Sequence, residues 1–336
     1  MPSKYVGNMV ITMQPLAAVI DRYSDAEETL LVDDTFAELA SHYFPNRCRL
    51  LFYPRRAAGL LTRVNRFLAF TRALRSTRFD RIVDFDGTVV SARITRLAKS
   101  TEKIGPGYAK RPGVYSRIVE MDRDAQHCID DYRLMAEAVD APLASDQYLP
   151  LPPVPDSVWT GQSSKPALSP GSPVACIHPC ATKDYKQWDI EKFAELADYL
   201  LDRGWQVCLV GAGSAERDRV DAMLEGMEGT PINLHGRLNL MQLAWLFQHA
   251  DLFVGNDSGP MHLAAASGVR VIALFGPTEL LRWQPRAPAV SVIKGLEPCS
   301  PACRPEACLH NYRCLRSLTV EQVAREIERS QPGQVE

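Results

Sequence analysis

Two short segments in the second half of the chain combine residue types that can neutralise a polyphosphate. The first is Asp251 to Glu279, DLFVGNDSGPMHLAAASGVRVIALFGPTE, where an apolar run delivers the chain to Gly255-Asn256-Asp257-Ser258-Gly259. Pro260 is expected at the first helical position, where its fixed φ and missing N–H cost nothing. The unsatisfied amides and positive dipole end of such a helix converge on an anion. Taken singly, Asp257 reads equally well as an N-cap and His262 as a helix-face histidine. The second segment is Ile177 to Trp188, IHPCATKDYKQW, whose Thr182, Lys183 and Lys186 follow a strand. A hydroxyl and an ammonium at a strand's carboxyl end suit a diphosphate leaving group; the plain alternative is surface charge.

These residues need a scaffold of strands and helices, and the length of 336 residues is enough for two domains. The stretch from Pro150 to Pro173, PLPPVPDSVWTGQSSKPALSPGSP, cannot sustain a helix or central strand and separates two halves of similar size. Past it, Val174–His178, Val207–Val210, Ile232–Leu234, Leu252–Val254 and Val271–Phe275 read as strands alternating with helical patterns. Before it, Thr29–Val32, Arg49–Tyr53 and Arg81–Phe85 repeat the alternation around a long Arg-rich helical stretch. Such alternation implies parallel sheets covered by helices on both faces. Charge follows the same division. Residues 1–46 carry −5, residues 47–117 carry +13 and residues 118–336 carry −10, so a near-neutral total conceals a basic block. Arginine forks match carboxylates and phosphates, which makes an anionic partner the functional reading of that block and a solvated surface the bland one.

In series, the C-terminal motifs resemble glycosyltransferase family nine, the ADP-heptose:lipopolysaccharide heptosyltransferases, in the flavour of the heptosyltransferase II type. The resemblance runs through Gly211-Ala212-Gly213-Ser214-Ala215-Glu216, the Leu234–Leu240 turn, the DSGPMH segment, Phe275-Gly276-Pro277-Thr278 and the closing CSPACRPEACLHNYRCL. In the first half it rests on Gly7-Asn8-Met9-Val10 with Pro15-Leu16 and on Ile82-Val83-Asp84-Phe85-Asp86-Gly87. It implies a GT-B fold, an α/β architecture of two Rossmann-like domains whose parallel sheets face a central cleft. The expected domains are 1–155, binding the acceptor, and 174–336, binding the nucleotide sugar, with 156–173 as linker. Carried over by position, Lys186 and Thr182 would bind the donor diphosphate, Glu216 the ribose, the backbone around Leu238 the adenine and Asp257 the sugar hydroxyls. Ser258, Gly259 and His262 would sit beside the phosphates. The implied reaction inverts the anomeric centre without a metal or other cofactor, Lys186 and helix amides neutralising the leaving ADP.

One departure falls on the catalytic loop. The family's base is an Asp at the position of Asn8, and an amide cannot accept the proton. Asp86, in the strand-end motif, is the expected substitute; a binding protein with little transfer is the alternative. Only six residues precede Gly7, so the resemblance implies a shortened first strand or a recorded start downstream of the true one.

The segment RIVDFDGTV also fits the opening of haloacid dehalogenase-type phosphatases, with Asp84 as nucleophile and Asp86 as acid/base. That fold normally begins with this strand, whereas some eighty residues precede it here. Nucleic-acid binding lacks any accompanying motif, and the pI of about 6.4 is low for that class. Cys299, Cys303, Cys308 and Cys314, with His310 among them, could hold zinc or iron, but their spacings do not match a paired C-x2-C site. No metal is therefore expected, the thiols instead lying in a compact loop. No apolar run has the roughly 18 residues of a membrane span, and Met1 to Thr12 lacks signal-peptide order, so the expected location is cytoplasmic, at the inner membrane's cytoplasmic face. There the expected acceptor is an anionic lipopolysaccharide core, bound through Arg63, Arg66, Arg93 and Arg96.

Overall fold

The structure is a computed structural model describing residues 5–55, 59–160, 165–295 and 303–329. It divides into two compact units, Met1–Leu149 and Pro150–Glu336.

The C-terminal unit carries one sheet of six parallel strands: β6 (Val174–His178), β7 (Gln206–Leu209), β8 (Ile232–Asn233), β9 (Leu252–Asn256), β10 (Arg270–Phe275) and β11 (Val290–Lys294). Their spatial order is β11-β10-β9-β6-β7-β8. Every residue of β6 and β9 is buried, as expected of central parallel strands covered on both faces, and the runs VACIH and LFVGN are accordingly apolar without alternation. Helices α6 (Ile190–Asp202), α7 (Ser214–Glu225), α8 (Leu240–Gln248), α9 (Gly259–Ser267) and α10 (Leu280–Trp283) fill the connections, and α11 (Arg313–Arg316) and α12 (Val320–Arg329) close the unit. Trp188, Phe193, Leu196 and Leu200 form the core with Ile177, Val254 and Leu274 of the sheet and Val323 and Ile327 of α12.

The Pro-rich stretch belongs to this unit, and the expected boundary at 155/156 lies inside it. Leu151 N donates to Ala266 O (2.8 Å), Val154 N to Gln248 Oε1 (2.8 Å), and Trp245 Nε1 to Asp156 Oδ1 (2.8 Å). Proline lacks a ladder donor, yet the amides between prolines still find partners on α8 and α9.

The N-terminal unit begins, in its described part, with α1 (Val6–Arg22), which buries Met9, Val10, Ile11, Met13 and Leu16. Its strands form two separate parallel sheets. One pairs β1 (Thr29–Asp33) with β2 (Arg49–Tyr53); the other runs β3 (Arg78–Val83), β4 (Lys99–Pro106) and β5 (Arg117–Val119). Helices α2 (Ala37–Tyr43), α3 (Leu60–Ser76), α4 (Val89–Leu97) and α5 (Cys128–Glu137) complete it. The two pieces share a cluster in which Phe70 and Leu74 of α3 meet Ile94 and Ala98, with Leu31, Leu51 and Ile82 against them. The strand expected to end at Phe85 stops at Val83, because the Asp84 carboxylate folds the following residues into a turn. Among the described residues no strand precedes Gly7; residues 1–4, where a shortened one would start, lie outside them.

Candidate functional site

β6 and β9 are neighbours, but the chain leaves them in opposite directions: β6 leads to β7 and β8 on one side, and β9 to β10 and β11 on the other. Such a reversal opens a crevice at the carboxyl ends of the two strands, the usual ligand site of an open parallel sheet. Of the eight donor residues nominated by the sequence, Thr182, Lys186, Asp257 and Ser258 fall on the loops that leave these strands, and Gly259 and His262 on the helix that follows β9.

His178 ends β6 opposite Gly255 of β9. The loop beyond it is held at both ends. Buried Asn256 donates Nδ2 to Pro179 O (2.9 Å) and accepts from Trp188 N (3.0 Å), while Arg219 of α7 donates Nε to Pro179 O (2.9 Å) and also bonds Trp188 O. Trp188 is itself sealed in the core, its Nε1 donating to Leu318 O at 3.0 Å. This clamp brings Lys186 Nζ to 2.7 Å from Oδ2 of buried Asp257. Thr182 lies in the same loop, exposed.

Helix α9 starts one residue earlier than expected. Ser258 is its N-cap, Gly259 its first residue and Pro260 its second. The proline remains harmless there, because the first four amides of a helix have no partner within it. Ser258 makes no side-chain cap, and its Oγ instead lies 3.1 Å from His178 Nδ1. His262 is buried one turn further on.

The third part of the site follows β7. Gly213 caps α7, and Glu216, in its first turn, accepts from Ala212 N at 2.9 Å. Glu216 Oε2 faces His178 Nε2 at 3.7 Å and His235 Nε2 at 3.9 Å. Gly211 permits this crowding: its φ is +155°, and a Cβ there would meet Glu216 Oε2 at 2.8 Å and His235 Cδ2 at 2.9 Å. Burial pushes the Glu216 pKa up, but the His178 hydrogen bond and charge, the Ala212 amide and His235 outweigh it, so the carboxyl sits below its ordinary value. Leu238 is half-buried in the turn before α8, where Asn239 and Gln242 form a capping box.

Ser258, His178, Glu216 and His235 thus form one chain of contacts across β9, β6, β7 and β8. His235 was not singled out from the sequence. Its side chain is 7% exposed, and Nε2 has no hydrogen-bond partner. The signal was available, since His235 follows β8 much as His178 ends β6, and strand ends on one sheet edge converge.

In the N-terminal unit, Asn8 sits in the first turn of α1, its carbonyl accepting from Thr12 Oγ1 at 2.6 Å. Asp84 is buried and spent on its own turn: Oδ1 accepts from Asp86 N (2.9 Å) and Gly87 N (3.2 Å), and Oδ2 accepts from Tyr115 OH (2.6 Å). A carboxylate so engaged is a poor nucleophile, and this geometry does not support the phosphatase reading. Asp86 keeps one bond, from Thr88 Oγ1 at 2.6 Å. Burial and the Asp84 charge raise its pKa, against the Thr88 hydroxyl and the Arg55 guanidinium. Arg63, Arg66, Arg93 and Arg96 are exposed, but Arg66 is engaged, its Nη2 lying 2.9 Å from Asp34 Oδ2. Of the four clustered cysteines, Cys299 lies outside the described residues; Cys303 is exposed, Cys308 half-buried and accepting from His310 N (3.4 Å), and Cys314 buried in α11.

The fold and its crevice define the class: an α/β protein of two units with a ligand site at the carboxyl edge of its larger parallel sheet. Residues 67–313 match the family model described as glycosyltransferase family 9 (heptosyltransferase). The chain belongs to that family. It is 28% identical over 313 residues to lipopolysaccharide heptosyltransferase 3 of Escherichia coli strain K12, covering 84% of this chain and 83% of that protein. Among solved structures it resembles E. coli ADP-heptose lps heptosyltransferase II, with a TM-score of 0.74 and 22% identity over 98% of this chain and 96% of that one. It also resembles a family 9 glycosyl transferase from Veillonella parvula, with a TM-score of 0.79 and 19% identity over 98% and 94%.

Proposed function

We propose that this glycosyltransferase moves a heptose from ADP-heptose to the inner core of lipopolysaccharide, the C-terminal unit holding the donor and the N-terminal unit the acceptor. The observation that carries the donor half is the convergence of Lys186, Asp257, Ser258 and the α9 amides at the point where the sheet order reverses, with Glu216 one strand away. In this reading the diphosphate displaces the Asp257 carboxylate from Lys186 and takes the helix amides. Asp257 is released to the sugar hydroxyls, Glu216 accepts from the ribose, and Thr182 and the backbone at Leu238 complete the donor contacts. Charge on departing ADP is met by Lys186 and the amides, with no metal or other cofactor assigned.

Asn8 cannot take the acceptor proton. Asp86 takes it: the hydroxyl loses its proton to the carboxylate, attacks C1 of the sugar and expels ADP with inversion. Burial raises the Asp86 pKa, which makes it a stronger base than an exposed aspartate. Arg63, Arg93 and Arg96 face an anionic acceptor. The protein works at the cytoplasmic face of the inner membrane as a peripheral enzyme; no described helix is long and apolar enough to cross a membrane.

The direct test is a binding screen of ADP-heptose against UDP- and GDP-sugars, followed by turnover on purified core lipid. Selective ADP-heptose binding with turnover is expected. Equal affinity for all three nucleotides would defeat the donor assignment, and binding without turnover would defeat the assignment of a working base.

A further inference from the structure

The exposed apolar side chains of the described residues are concentrated on α3. Leu61 is 81% exposed, Val64 46%, Phe67 43% and Leu68 61%. Leu61, Val64 and Leu68 are spaced by three and four residues and lie on one stripe of the helix. Extending that stripe by four and then three residues reaches Arg72 and Arg75, both exposed. The opposite face does the core work, with Phe70 and Leu74 each 4% exposed against Ile94, Ala98, Leu31 and Leu51. The apolar stripe therefore makes no contribution to the core of the unit. No Asp or Glu occurs between Glu38 and Asp80, whereas nine arginines lie between Arg47 and Arg78. The adjoining α4 exposes Val89 and Leu97 beside Arg93 and Arg96, repeating the mixture of apolar side chain and guanidinium.

We infer that α3 is a membrane-docking helix that lies on an anionic bilayer, Leu61, Val64 and Leu68 entering the headgroup region and Arg72 and Arg75 meeting lipid phosphates. The charge selects this occupant: a face with arginine and no acid fits a continuous negative surface, and aliphatic side chains interleaved with the guanidiniums fit one with an apolar layer beneath it. A soluble anion would use the arginines and leave the leucines in water. The inference rests on the proposed function only where it takes the acceptor to be lipid-borne. It supplies the element that presents the N-terminal unit to that lipid.

Flotation of the full chain with vesicles tests it, using phosphatidylcholine alone or mixed with phosphatidylglycerol. Wild type should float with the anionic vesicles at least about tenfold more tightly than with neutral ones, and salt should weaken the binding. Leu61→Ser with Leu68→Ser should lose at least about tenfold, as should Arg72→Glu with Arg75→Glu, while each variant keeps its thermal midpoint and its ADP-heptose affinity. Wild-type flotation by the double serine variant would overturn the inference, as would no flotation of wild type. Self-association without lipid, abolished by the same serines, would assign the stripe to a second copy and also overturn it. The two readings fail separately: loss of the donor assignment would appear as absent ADP-heptose binding with flotation intact. Loss of the docking helix would appear as turnover on a delipidated core acceptor with no flotation.

Discussion

Asp86 and Glu216 show one chemical group, the carboxyl, driven in opposite directions by its surroundings. Around Asp86, burial outweighs the Thr88 hydroxyl, with a smaller push from the Asp84 charge, so the carboxyl is protonated at a higher pH than an ordinary aspartate. A base must be ionised to act, so activity should fall as pH drops through this raised value, and the acid limb of kcat/KM should lie above that of an exposed carboxylate. Asp86→Asn should remove that limb and lower kcat by about 10²-fold or more, with ADP-heptose affinity unchanged. Wild-type turnover by the variant would return the base to another group. Around Glu216, the histidines win over burial, so the carboxylate stays ionised and able to accept two ribose hydroxyls. Glu216→Gln should reduce the preference for ADP over 2′-deoxy-ADP in a binding titration. His235→Ala should narrow the same preference by leaving the carboxylate unaimed. A His235→Ala protein that binds both nucleotides less tightly by one common factor would show that His235 merely supports the fold.

At the level of elements, the C-terminal unit was far more legible than the N-terminal unit. Strands β6, β9 and β10 are buried on both faces, so their runs of Val, Ile, Leu and Phe announce themselves without a partner in view. DSGP marked a helix start correctly to within one residue because the preference of proline for the first turn is local chemistry. Strand β4, KSTEKIGP, went unread: its first half is exposed and charged, and only its pairing with β3 and β5 makes it a strand. The pinning of the 179–188 loop by Asn256 and Arg219 was equally invisible, since each bond joins residues far apart in sequence. Gly211 tests whether that convergence is functional. A methyl group there would strike Glu216 and His235, and the φ of +155° disfavours any side chain. Gly211→Ala should therefore weaken ADP binding by at least about tenfold, roughly 1.4 kcal/mol, while leaving the core beneath β7 intact. Unchanged affinity in isothermal titration would mean that the crowding of Glu216 against Gly211 does not shape the donor site.

Over the whole molecule, a formal charge of −2 is distributed so that the two units meet opposite demands. The C-terminal unit is acidic overall and gathers a few cations and amides at one sheet edge, where the proposed function puts the diphosphate. Arg47, Arg55 and Arg81 of the N-terminal unit are ion-paired with Asp21, Asp33 and Glu102, but the six arginines of α3 and α4 are exposed and mostly outside such pairs. Arg66 is the exception, because its ion pair with Asp34 means that charge reversal there would set two acids against each other and disturb the carboxyl end of β1. Arg93 and Arg96 give the cleaner test, as both are exposed on α4, whose buried side is held by Ile94 and Ala92. Arg93→Glu with Arg96→Glu should weaken binding of a phosphorylated core acceptor by at least about tenfold and flatten its salt dependence. ADP-heptose affinity and thermal stability should stay at wild-type values. If donor and acceptor affinities fall together, the division of labour between the units is wrong and the basic block serves the protein's fold or solubility.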